Sequence, residues 1–318
     1  MSVPHRIASL LPSATEILFG IGLGNRVVAV SHECDYPPEV AKLPRATFSH
    51  MDRAASSRSI DAAVQESLHA GKSLYGIDRP LLERLQCDLI ITQSQCDVCA
   101  VKYSDVLEAI DRMGGVSRVP IVALNPYSLS DVLNDIVHVG RTCAHQEAAE
   151  RYAAGLSRRV EDVVLRLQDL LAVERPRTVL LEWIDPVMLA GNWMPEILQF
   201  AGGVCALVEG KGHSPYVDWE QIVSYDPEVV IVCPCGFDRQ RTVVEAEELR
   251  SFPAWNAISA VQHDRVFAVD GNAYFNRSGP RLVETLEILA HLLHPSRLGP
   301  PELKNGSSPP WCKIPVSP

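Results

Sequence analysis

The chain has 318 residues, 47% hydrophobic and 21% charged, enough apolar material for one large or two ordinary domains and too much for a disordered or fibrous protein. Lys and Arg number 29 against 39 Asp and Glu, a formal net charge of -10, which argues against a general nucleic-acid binder facing phosphates with a surplus of cations. The nine cysteines are odd in number and scattered through apolar segments, so they read as mostly reduced thiols rather than a secreted disulfide scaffold.

Near the N-terminus, Pro12, Ser13, Thr15 and Glu16 interrupt the apolar residues from Ile7 to Ile21, so no secretory leader is read there. No later run approaches the roughly 18 to 20 apolar residues of a membrane span. The expectation is a soluble, cytoplasmic chain without a membrane span, periplasmic only if a leader has been lost ahead of Met1.

Arg6 to Leu11, Arg26 to Ser31, Asp88 to Thr92 and Pro120 to Leu124 are short and rich in Val, Ile and Leu, as strands buried on both faces are. Helices are expected at Ala14 to Ile21, Arg79 to Leu85, Val101 to Met113 and Leu129 to Arg141. Alternation of this kind implies a mostly parallel sheet covered on both sides. From His145 to Ala172 apolar residues recur at helical spacing, with Arg158, Arg159, Glu161, Asp162 and Arg166 between them. At about 1.5 Å per residue that helix is on the order of 40 Å long. It reads either as an ordinary long surface helix or as a rod joining two lobes, because the strand and helix alternation resumes after it.

The second half echoes the first. Pro12 to Gly22 leads into Val27 to Val30, as Asn192 to Gly203 leads into Val204 to Val208. Cys87 to Thr92 matches Pro227 to Val232, and Pro120 to Leu124 matches Arg265 to Val269. The expected fold is therefore α/β, two Rossmann-like lobes with mostly parallel sheets joined by one long α-helix. The boundaries are 1–144 for the first lobe, 145–173 for the helix, 174–295 for the second lobe and 296–318 for a loose tail.

Gly20 to Gly24 closes a helix and opens a strand, the reverse of a dinucleotide loop, and reads as a helix end. Gly71-Lys72-Ser73 lacks the first glycine of a phosphate loop, where Glu66 stands, and no Gly-x-Ser-x-Gly elbow is present. Ligands of open parallel sheets bind beyond the carboxyl ends of strands. There the first lobe places Pro12, Ser13, His32, Glu33, Cys34, Gln93, Ser94, Gln95, Cys96 and Cys99. The second places Trp183, Asn192, Trp193, Cys233, Cys235, Phe237, Asn272, Tyr274, Phe275 and Arg277. Two such edges facing each other would make a cleft. Cys96-Asp97-Val98-Cys99 has the spacing of a shared zinc or iron site or a redox pair, with Cys34 as a third thiol and His32 and Glu33 nearby. The alternative is that these are core thiols. His32 reads as a ligand to a metal or corrinoid cobalt, or as a hydrogen-bonded loop residue. Trp193, Tyr274 and Phe275 suit stacking on a flat ligand or closing a local core. Arg277 suits an anionic ligand group or the cap of a helix starting near Ser278.

Arg6 to Glu16, Val28 to Pro37, Asp88 to Gln93, Trp219 to Ile222 and Tyr274 to Arg281 together resemble the periplasmic cobalamin-binding proteins of ABC importers, over residues 5 to 294. The resemblance implies the class III substrate-binding-protein architecture, two lobes with a helical backbone, binding cobalamin, haem or a ferric siderophore without catalysis. It implies a small-molecule ligand, a corrinoid or other metal-chelate, and an ABC permease met by one carboxylate on each lobe. Glu220 matches the second-lobe carboxylate, and Pro80 stands at the first-lobe position. Cys34, Cys96 and Cys99 stand where these importers do not place thiols. The alternatives are a cytosolic metal- or redox-dependent enzyme using those three thiols, and an importer subunit whose leader is missing.

Overall fold

The computed structural model describes residues 3–52, 54–95, 100–112, 119–303 and 308–315. The chain divides into two compact units. The first comprises Met1–Ala55, Ser59–Pro126 and Ser130–Leu156; the second comprises Ser56–Arg58, Tyr127–Leu129 and Ser157–Pro318.

In chain order the first half carries β1 (Ile7–Ser9), α1 (Pro12–Gly20), β2 (Val27–Val30), β3 (Thr47–Ser49), α2 (Ser57–His69), β4 (Tyr75–Ile77), α3 (Arg79–Leu85), β5 (Leu89–Gln93), α4 (Tyr103–Asp111), β6 (Ile121–Leu124) and α5 (Leu129–Thr142). Its sheet has the order β2-β1-β5-β6 and is parallel throughout, with Ile7 opposite Leu89 and Ile90 opposite Ile121. All five residues of β5 are buried, which is why the run from Leu89 is apolar rather than alternating. Pro12 opens α1 at a position whose N–H needs no helical partner, and Gly22, at φ +84, ends it in a conformation that favours glycine. β3 and β4 form a separate antiparallel pair that the sequence patterns do not announce.

α6 (Gln146–Leu167) starts one residue after the expected helix and stops five residues before its expected end. A tight turn at Ala172–Glu174 follows, fixed by the Glu174 carboxylate accepting the Leu171 N–H at 2.8 Å. Leu171 is 65% and Val173 91% exposed, so the apolar residues that extend the helical pattern have nothing to pack on.

The second unit carries β7 (Thr178–Trp183), β8 (Met188–Leu189), α7 (Met194–Phe200), α8 (Trp219–Tyr225), β9 (Val229–Val232), α9 (Arg239–Glu245), α10 (Ser259–Gln262), β10 (Val266–Val269), α11 (Leu282–Leu293) and β11 (Trp311–Lys313). Its sheet runs β11-β10-β9-β7-β8, with β7, β9 and β10 parallel and antiparallel strands on both edges. Two expectations are corrected here. Val204 to Val208 is not a strand: only Val204 bridges, to Arg177, because the Tyr225 hydroxyl takes the neighbouring backbone groups, donating to Val204 O at 3.1 Å and accepting from Ala206 N at 3.3 Å. The tail read as loose contains β11, which covers the outer edge of β10 and sends Ile314, 2% exposed, into the core with Val266 and Ala268.

Candidate ligand-binding site

At the carboxyl edge of the first sheet the polar groups are tied to one another by hydroxyls. Beyond β2, the His32 N–H donates to Thr47 Oγ1 at 3.0 Å, and His32 Nδ1 lies 2.7 Å from the same oxygen. Thr47 Oγ1 is 3.1 Å from Ser31 Oγ, which accepts the Glu33 N–H at 3.2 Å. His32 Nε2 is 3.2 Å from Glu33 Oε1, within ion-pair reach but off the line of a hydrogen bond. The Thr47 hydroxyl gives its one proton to Ser31, so toward His32 it acts as acceptor, taking the backbone N–H and facing Nδ1. Arg45 secures the loop from below, donating to Ser31 O at 3.0 Å and Cys34 O at 2.6 Å.

Cys34 is 1% exposed, and its Sγ lies 3.2 Å from Thr15 Oγ1, whose hydroxyl donates to Ser9 Oγ at 2.8 Å. The thiol is thus part of a buried hydroxyl chain. Cys96 and Cys99 lie outside the described residues, and among the described residues no three His, Cys, Asp or Glu side chains converge as a metal site. Ser13 is buried in the first turn of α1, beside a half-buried Pro12. The Gln93 amide turns inward: its Oε1 accepts the Gln95 N–H at 2.6 Å and its Nε2 donates to Val101 O at 3.4 Å. Ser94 is exposed.

The second sheet seats its edge loop on a neighbouring backbone and braces it with side chains. Beyond β10 the turn Gly271–Phe275 is held by Asp270 Oδ1, which accepts the Ala273 N–H at 2.7 Å, and by Phe237 O, which accepts the Asn272 N–H at 3.0 Å. Asn276 Nδ2 donates to Cys233 O at 2.8 Å. Gly271 is required: a Cβ there would come within 2.2 Å of Pro234 O. Burial pushes the Asp270 carboxyl up, opposed by its bond from Ala273 N–H and by Arg277 and Arg281. Arg277 is itself buried and donates to Asn272 Oδ1 at 2.9 Å, so it braces the turn rather than capping α11, which begins at Leu282.

Trp193, Tyr274 and Phe275, read either as a stacking surface or as a local core, are buried. Phe275 is 1% exposed and Tyr274 5%; Trp193 Nε1 donates to Phe275 O at 3.0 Å, and Thr285 Oγ1 donates to Tyr274 O at 3.0 Å. The rings are buried, and the indole N–H of Trp193 is taken by a carbonyl within the unit. Trp183 packs against Phe237 at 5.3 Å, and the Arg241 guanidinium sits 3.6 Å above the Phe237 ring. Asn192 adopts φ +52 and donates its N–H to Gly212 O at 2.6 Å. Arg241, Asp270, Asn276 and the Glu182 to Ser214 pair, at 2.8 Å, were not singled out by sequence. Asp270 follows directly on the apolar run of β10, a signal that was available. Glu220 is exposed in the first turn of α8, and Pro80 is exposed at the start of α3.

Two α/β units whose parallel strands end in polar loops suit the capture of a ligand beyond the carboxyl ends of the strands. A family profile described as periplasmic binding protein matches residues 82–273, more than half of the chain, and the protein belongs to that family. It is a non-catalytic ligand binder. Among curated relatives it is 27% identical over 287 residues to a vitamin B12-binding protein of Vibrio cholerae, covering 89% of this chain and 87% of that one. It is 24% identical over 295 residues to the uncharacterized ABC transporter substrate-binding lipoprotein YvrC of Bacillus subtilis, covering 92% and 81%. In fold it is similar to the periplasmic vitamin B12 binding protein BtuF of Vibrio cholerae, at TM-score 0.66 and 23% identity over 92% of this chain and 98% of that one. The periplasmic heme-binding protein RhuT of Roseiflexus sp. RS-1 is similar too, at TM-score 0.68 and 21% identity over 92% and 99%. No helix among the described residues is long and apolar enough to cross a membrane.

Proposed function

We propose that this protein captures a corrinoid and passes it to an ABC permease. The observation that carries this reading is the 27% identity to a vitamin B12-binding protein along 89% of the chain. His32, Glu33 and Ser94 on the first unit, with Asn192 on the second, keep solvent access at the carboxyl edges and are the side chains we assign to the ligand. Glu220, exposed on α8, is the carboxylate we assign to the permease, while Pro80 brings no charge to the start of α3. Titration with cyanocobalamin and, separately, with haemin, followed by their visible spectra, tests the reading. Saturable binding of the corrinoid at about micromolar concentration or tighter is expected. A silent cobalamin titration at several hundred micromolar would overturn the corrinoid assignment, and saturable binding of haemin alone would transfer the site to haem.

A further inference from the structure

The seven residues Pro309 to Pro315 contact several parts of the second unit. Their strand adds to β10 with Val269 opposite Trp311 and Phe267 opposite Lys313. The ladder continues beyond the strand at both ends: Asp270 N–H donates to Pro310 O at 2.8 Å, and Ile314 N–H donates to Val266 O at 2.9 Å. Cys312 and Ile314 face the core, and Trp311 packs on the opposite face against His291 of α11, ring centroids 5.6 Å apart. Two cations fasten the segment from outside, and one of its own reaches out to a carboxylate. Arg239 donates to Pro309 O and Arg250 to Pro315 O, each at 2.7 Å, and Lys313 Nζ lies 2.6 Å from Asp264 Oδ2.

Two of these attachments fall at the bases of the loops that make the second unit's carboxyl edge. Asp270, held at its N–H by Pro310, is the residue whose carboxyl holds the Gly271–Phe275 turn through Ala273. Arg239, held at Pro309, is the first residue of α9, two residues after Phe237, whose carbonyl receives the Asn272 N–H. The segment therefore holds the chain two residues from each partner of the Asn272 to Phe237 contact, at Asp270 and at Arg239. An edge strand with open N–H and C=O groups would by itself fray, and a covering strand removes that freedom.

We infer that the C-terminal strand is a positioning element for the second unit's ligand loops: it sets the Gly271–Phe275 turn against the Phe237 loop. For what those loops bind, the inference rests on the function proposed above. The test compares the full chain with one ending at Leu303, and adds a synthetic peptide of residues 308 to 318 in trans. Amide hydrogen exchange reads the positioning without any ligand. Exchange at Asn272 to Phe275 is expected to rise at least tenfold in the shortened chain, with Thr178 to Trp183 of β7 unchanged, and to return when the peptide is added. Equal exchange in both chains, or a uniform rise that includes β7, would overturn the inference. Should the shortened chain not fold, the double variant Arg239→Ala with Lys313→Ala, which keeps the strand and removes two of its fastenings, is expected to show the same local rise at least threefold, and no local rise there overturns it. In parallel, the dissociation constant for cyanocobalamin is expected to weaken at least fivefold on shortening and to recover with the peptide; unchanged affinity overturns the positioning role. A full chain that does not bind cobalamin removes the functional reading alone, since the exchange result still decides the inference.

Discussion

Beyond β2 the first unit holds His32 through the hydroxyl of Thr47, whereas beyond β10 the second unit seats Gly271 directly against the main-chain carbonyls of Cys233 and Pro234. A residue oriented by another side chain can be re-aimed by one substitution, with the backbone left in place. A turn laid directly on a neighbouring carbonyl has no such freedom, and its tolerance is set by steric exclusion. The two edges should therefore fail in different ways, the second by losing its fold and the first by losing the orientation of one ring.

The largest effect is expected for Gly271→Ala. The new Cβ would sit 2.2 Å from Pro234 O and 2.8 Å from Cys233 O, both backbone atoms that cannot swing aside. We expect a loss of about 3 kcal/mol, at the upper end of overpacking costs, read as a lowered urea midpoint. A loss below about 1 kcal/mol would show that the β9 and β10 loops yield, and the contrast between the units would fall. Thr47→Val comes next. It removes the acceptor of the His32 N–H and the partner of Nδ1 at a position 2% exposed, for an expected cost of about 2 kcal/mol. Thr47→Ser keeps the oxygen and should recover most of that stability, together with the imidazole resonances of His32 in NMR spectra. If Thr47→Ser leaves the imidazole resonances as displaced as Thr47→Val does, the hydroxyl is not what orients the ring.

The apolar runs were sufficient for β1, β2, β5, β6, β9 and β10, because burial on both faces demands uninterrupted Val, Ile and Leu, while β7 was not read. The helix α3 has the same expected and observed limits, Arg79 to Leu85. β3 and β4 have only three residues each, and α2 carries charged and small residues between them, so no periodicity marks them. β11 was hidden behind prolines: Pro309 and Pro310 lie outside the paired residues, and Pro315 follows Ile314, so the strand itself is free of them. At the site, residue types at strand ends were readable but their orientation was not. Whether Trp193 meets a ligand depends on a carbonyl 82 residues away, at Phe275, and whether His32 is braced depends on Thr47, 15 residues on. No local spacing carries that information.

The smallest effect concerns two carboxyl groups, one in each unit, and sharpens the comparison. Asp270 is half-buried yet its carboxyl receives the Ala273 N–H, so the upward push of burial is partly offset. Asp135 in α5 has no such bond at its buried Oδ2; burial, and then the neighbouring Asp131 charge, push its carboxyl up to about 7. In the unfolded chain the same group ionises in the ordinary carboxylate range, near 3.8. Between these values the folded protein binds the extra proton, so the contribution of Asp135 to stability is fully present below about pH 4 and is lost as pH rises to about 7. Asp135→Asn cannot ionise and should flatten that slope, with the variant more stable than the parent by about 1 kcal/mol at pH 8, a modest figure because solvent screens a side chain that is only half-buried. Thermal melts of parent and variant at pH 5 and pH 8 measure the difference. A variant no more favoured at pH 8 than at pH 5 would mean that Asp135 is already relieved by solvent, and that its carboxyl, like that of Asp270, is not left unsupported.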